Sequence, residues 1–167
     1  MNITGNDAIL LAHATLGVLG TLAALWVFVE TLNAGEENAS RIRAAALGVT
    51  VCMVAAWIVG GYWYLHFYPM ERALILAGPW PLAHSVFMET KEHLFLVTLI
   101  LSLYLPIAAA DNLHANASAR RMVLSVAMLI VLTGMVLEGS GAIIDHGVKV
   151  ALLRPITKTA AAQGVAK

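Results

Sequence analysis

Charge is what this sequence has least of. Asp, Glu, Lys and Arg together make up 12% of its 167 residues, against 60% apolar ones. A soluble domain carries about 25% charged and about 45–50% apolar residues, so an ordinary water-covered surface is excluded. Disorder is excluded by the same figures, because it needs low hydrophobicity. Basic and acidic residues number ten each, which leaves no net field for nucleic acid. The one cysteine, Cys52, permits no internal disulfide and, inside an apolar stretch, reads as a small hydrophobe. Nucleotide-binding glycine loops, nucleophile elbows and zinc-hydrolase motifs are missing, as are internal repeats. The expectation is an integral membrane protein of a bacterial or organellar inner membrane, with the lipid bilayer as its first partner.

What is present is a set of long apolar runs. Ala8 to Val29 gives 22 residues interrupted only by His13, and Ala44 to Met70 gives 27. A third run, Leu82 to Ala110, holds Glu89, Lys91, Glu92 and His93 in its first half. The fourth, Met122 to about Ile144, contains Glu138. Crossing a bilayer core takes ~20 helical residues, so each run suffices, whereas a membrane barrel needs many alternating segments of ~10 residues. The sequence therefore predicts an all-α, antiparallel up-down four-helix transmembrane bundle forming one domain over residues 1–167. The expected helices are roughly 8–30, 43–67, 82–110 and 121–145, followed by a short amphipathic or loose tail, 149–167. Polar connections (31–41 and 111–121) and a Pro- and Gly-punctuated link (69–81) separate them. The first run lacks a basic flank and is long for a signal-peptide core, so it reads as a span that is retained.

Four alternating spans have two ends. Side A holds both termini, and side B holds Arg41, Arg43, Arg120 and Arg121. Counted from side B, His13 lies 17 residues in from Glu30, and Glu138 lies 17 beyond Arg121, each about 25 Å deep. Glu92 and His93 fall at a similar level, as do Gly60, Gly61 and Tyr62 on the second helix. Ionisable groups at such depth cost several kcal/mol unless paired or hydrated, and their presence points to function.

Two histidines at matched depth suggest a haem b with His13 and His93 as axial ligands. The stripe His13, Gly17, Gly20, together with Gly60–Gly61, would leave room for the macrocycle, although small residues also serve plain helix contact. Four spans with paired histidines look broadly similar to four-helix membrane cytochromes. On this reading the chain passes electrons between quinone or quinol and a partner, either another membrane or redox subunit or a second copy. Glu92, Glu138 and Tyr62 would relay protons, and Arg72 and Tyr62 would line the cofactor site. Lys91 points away from the Glu89–His93 face and would snorkel to side A. His66, His84 and His146 form a candidate second site beside an aromatic belt, Tyr62 to Pro69, whereas His114 reads as a solvated loop residue. A di-metal carboxylate site lacks the Glu-x-x-His spacing it needs. The alternatives keep the same residues: a proton or cation translocator working through Glu92, Glu138 and His93, or a structural subunit of a larger membrane complex.

Overall fold

A computed structural model describes the backbone of residues 5–162 and the side chains of residues 5–153. Helices α1 (Gly5–Leu32), α2 (Ala39–His66), α3 (Tyr68–Ala77), α4 (Glu89–Ala109) and α5 (Ala117–Ala162) follow in order, with a π-helical segment, Ala83–Met88, leading into α4. The described residues contain no strand. Four helical stretches are long and apolar enough to cross a membrane: Gly5–Leu32, Ala39–His66, Ala83–Ala109 and Ala117–Leu153. These are the four expected from the sequence; the first three differ from the expected bounds by one to four residues, and the fourth runs eight residues past 145.

The turns have identifiable causes. Asn38 ties the α1–α2 connection together: its Nδ2 donates to the carbonyls of Glu30 and Asn33 and to the Glu30 carboxylate, and its Oδ1 accepts from Gly35 N–H. Arg41 closes the same corner on Glu30 at 3.3 Å. Asn116 accepts from the N–H groups of Ser118 and Ala119, satisfying donors that the first turn of α5 leaves over. Arg43 donates to the carbonyls of Ala109 and Ala110, acceptors that the end of α4 leaves over.

Two parts of the chain differ from the sequence reading. The link 69–81 contains a helix, α3, because Pro69 falls in its first turn, where a missing N–H costs nothing, and Tyr68 and Ile75 bury one side of it. The expected tail is instead a continuation of α5 to Ala162; residues 163–167 lie outside the described residues. At the start of that continuation Ala151 sits against Gly78 and, just before it, Gly147 against Ala83, so closely that a methyl on either glycine would collide.

Helix α1 lies against α2 and α5, and α4 lies against the same two helices, so α1 and α4 stand on a diagonal. Two apolar clusters fill the interior. One joins Val27, Ile42, Val49, Met53, Leu105, Val123 and Ile130 toward the Arg43 end. The other joins Trp63, Tyr68, Ile75, Met88 and Ile144 toward the end where Trp63 Nε1 donates to Asn6 Oδ1 at 2.7 Å. Between these clusters polar side chains meet glycines, beside the buried Ala56 and Leu137.

Candidate functional site: a polar layer between two apolar clusters

The layer is built from glycine on one helix and a polar side chain on its neighbour. A methyl at Gly17 of α1 would meet Oε1 of Glu138 of α5 at 2.5 Å. One at Gly60 of α2 would run into the His13 ring of α1, and one at Gly134 of α5 into the Thr21 hydroxyl. A methyl at Gly141 would stand 3.0 Å from Nζ of Lys91 of α4. Absence of a Cβ at these places is what lets the polar groups enter the bundle. Gly20 differs, since its open face receives Met53 and Cys52, and Gly61 has nothing within 4 Å.

Within this layer the Lys91 ammonium acts electrostatically on both Glu138 and His13. His13 Nδ1 donates to the Ala56 carbonyl at 2.9 Å, which fixes the ring against α2. The residue after Lys91 on α4, Glu92, acts electrostatically on the Tyr64 hydroxyl of α2. The Glu92 Oε1 atom is buried and has no hydrogen-bond partner. A buried oxygen in that state calls for a proton or a water to satisfy it. Toward the Arg43 end the polar line continues as hydroxyls: Thr98 donates to Thr133 at 2.8 Å, and Thr50 donates to the Ser102 carbonyl at 2.6 Å.

Toward the other end, Tyr64 stacks on Tyr68 with ring centroids 5.2 Å apart. Tyr68 and His84 are both buried. Arg72 Nε donates to His84 Nε2 at 2.9 Å, so the imidazole proton is on Nδ1, which donates to the Tyr68 oxygen at 2.8 Å. Glu89 Oε1 approaches the same His84 Nε2 at 4.0 Å. Burial, followed by neighbouring Tyr64 and Glu92, pushes the Tyr68 phenol well above the usual range, so it stays protonated. Arg72 and Tyr68 come from α3 and His84 from the π-helical segment, a distortion often found at functional sites.

The structure separates several residues that the sequence grouped. His93 is exposed on the outer side of α4, its Nδ1 donating to the Glu89 carbonyl at 2.7 Å. His13 lies on the diagonally opposite helix, and Gly17 and Gly60 are filled by Glu138 and His13 themselves. These residues do not fit a haem shared by His13 and His93. Tyr62 is exposed and stacks on His66 rather than joining the layer. Arg72 belongs to the His84 cluster, away from His13. Of the second-site histidines, His84 is buried, His66 is outside, and His146 meets the edge of Trp80. Among the described residues no group of three or more His, Cys, Asp or Glu is placed to hold a metal ion.

Lys91 and Tyr64 are the functional candidates that sequence reading passed over. Lys91 turns into the bundle instead of away from it. A signal for this existed: Lys91, Thr98, Ser102, Leu105 and Ala109 recur at helical spacing on one stripe of α4, and small hydroxylated residues in apolar helices face other helices. Comparison of the chain with protein-family models, curated proteins and solved structures found no match.

Proposed function

We propose that this chain is an integral membrane protein, an antiparallel up-down four-helix bundle, that conducts protons along its interior. Support for the bundle lies in the helix pairings. Gly17 meets Glu138 while Thr21 meets Gly134, and Arg43 reaches Ala109 while Thr50 reaches Ser102. In each pair the numbers rise along one helix as they fall along the other. Support for the bilayer is the outer surface, where Leu22, Trp26, Ile58, Ile100 and Leu132 are all more than half exposed.

The observation that carries the proton reading is the seating of Glu138 and Lys91 between helices at glycine. Four glycines cut back at polar side chains would be an odd way to stabilise a bundle, since an apolar layer does so without desolvating charge. A carboxylate and an ammonium that act on one another within one layer can exchange protons, and membrane interiors keep such groups for pathways. In this reading Tyr68, Tyr64 and Glu92 connect the side A surface to Lys91 and Glu138. The Thr98–Thr133 and Thr50–Ser102 hydroxyls orient water beyond them toward side B. His93 drops out of the path.

The test is proton flux into proteoliposomes. Glu138→Gln lowers the flux at least tenfold, and Glu92→Gln lowers it too, whereas His114→Gln in the side B loop leaves it unchanged. Flux no greater than in protein-free vesicles overturns the reading. The absorption spectrum of the purified protein checks the electron-transfer alternative: no Soret band is expected. A Soret band that disappears in both His13→Ala and His93→Ala would restore the haem b assignment, and with it a quinone-linked role.

A further inference from the structure

The outer side of α4 carries a feature the proton path does not use. Glu89, His93, Val97, Ile100 and Tyr104 follow one another along that side, and all are exposed. The first two are an acid and a base one helical turn apart, within a helical stretch apolar enough to span a bilayer. Ionisable side chains directed at hydrocarbon are costly unless something covers and pairs them. Glu89 has partial help from inside, where Oε1 stands 4.0 Å from His84, yet its side chain remains 53% exposed. His93 has its Nδ1 spent on the Glu89 carbonyl, which leaves Nε2 directed outward. Below the pair lies a shallow groove of about 480 Å³, lined by Glu89, Thr90, His93, Leu94 and Val97.

We infer that this side of α4 is the contact between two copies of the chain, related by a two-fold axis along the membrane normal. The argument is charge complementarity. A two-fold contact brings the same patch to itself, so it is stable only if the patch complements itself. This one does. With the two α4 helices parallel and side by side, Glu89 of one copy reaches toward the partner's His93, one turn along, and the partner's Glu89 returns the contact. One proton held between carboxylate and Nε2 satisfies each pair. Farther along, Val97 of each copy packs into the groove beside Leu94 and Val97 of the other, and Ile100 stands level with the partner's Ile100. A different membrane protein would have to bring its own matched base and acid at this spacing; a second copy supplies them by symmetry. The other outer faces, on α1 and α5, show no comparable acid and base one turn apart within the described part of their spans; Asp145 is already held by Lys149 at the end of the fourth stretch.

The inference is independent of proton conduction and is tested separately. Single cysteines are placed at Val97, at Ile100 and, for contrast, at Leu22 on the outer side of α1, in a Cys52→Ser background, and the full chain is reconstituted in phosphatidylcholine vesicles at high lipid excess. Oxidation is expected to give a disulfide-linked dimer for Val97→Cys or Ile100→Cys, at a yield at least fivefold above Leu22→Cys. Adding Glu89→Gln or His93→Gln lowers that yield at least threefold while helical content by circular dichroism stays the same. Equal cross-linking at Leu22, or none at either α4 position, overturns the inference. So does a yield unchanged by both charge substitutions, which would mean that lipid or chance collision, not the acid–base pair, sets the contact.

Discussion

A pair of adjacent glycines on α2 shows how narrowly the polar layer is specified. Gly60 and Gly61 are indistinguishable by type and depth, yet a methyl at Gly60 collides with His13 and a methyl at Gly61 meets nothing within 4 Å. Gly60→Ala therefore forces the imidazole off the Ala56 carbonyl and costs about 1–3 kcal/mol, the usual penalty of overpacking. Gly61→Ala gains helix propensity, up to about 1 kcal/mol, with nothing to oppose it. Thermal unfolding in detergent is expected to move down for the first variant and to hold or rise for the second; similar shifts for both would mean that His13 is not seated on Gly60. From the sequence, Gly17 and Gly60 read as clearance for a macrocycle; in the structure the side chains standing at them are Glu138 and His13. Which group faces a glycine depends on the rotation of each helix about its axis, and that is set by packing and not by depth.

Helix α4 makes that point at the scale of an element. Counting residues located Glu92, His93 and Glu138 at one level, and the level holds a polar layer. Choosing His93 as the inward group forced Lys91 outward, since residues two apart on a helix lie on roughly opposite sides. The structure has the reverse arrangement, in keeping with the Thr98 and Ser102 stripe on the Lys91 side. Helix α3 was invisible to hydropathy because it is short and is followed by Gly78, Pro79 and Pro81, whereas residues 83–88 fell within the expected helix 82–110 and only their π-helical winding went unread. Their docking has its own signature in Glu71, whose carboxyl is raised above the ordinary 4.5 by burial, opposed by a hydrogen bond from Asn6. A raised carboxyl pKa in the folded state contributes stability that is fully present below the unfolded pKa and is lost as pH rises through the folded value. Docking of α3 is thus expected to strengthen as pH falls toward 4.5 and to weaken above the raised value. Hydrogen exchange of α3 amides, followed against pH, reads this directly. Glu71→Gln should flatten the profile, and a profile unchanged by that substitution would remove Glu71 as its cause.

For the whole molecule, run length announced four helices long and apolar enough to cross a membrane. Their number and length follow from bilayer thickness and helix rise, which is why they were legible without a structure. The internal division was not legible. Apolar clusters toward each end enclose a layer holding Lys91, Glu138 and His13, and the clusters form from residues far apart in the chain, such as Val27 with Val49, Leu105 and Ile130. That enclosure limits water and makes each charged group in the layer matter. The central claim is that protons cross through it. It is tested most directly in vesicles loaded with a pH-sensitive dye, carrying the purified chain and driven by a potassium diffusion potential. The account predicts internal acidification that collapses toward the protein-free rate in Glu138→Gln, slows in Thr98→Val, and keeps the parent rate in His93→Gln. Parent-like acidification in Glu138→Gln would contradict it.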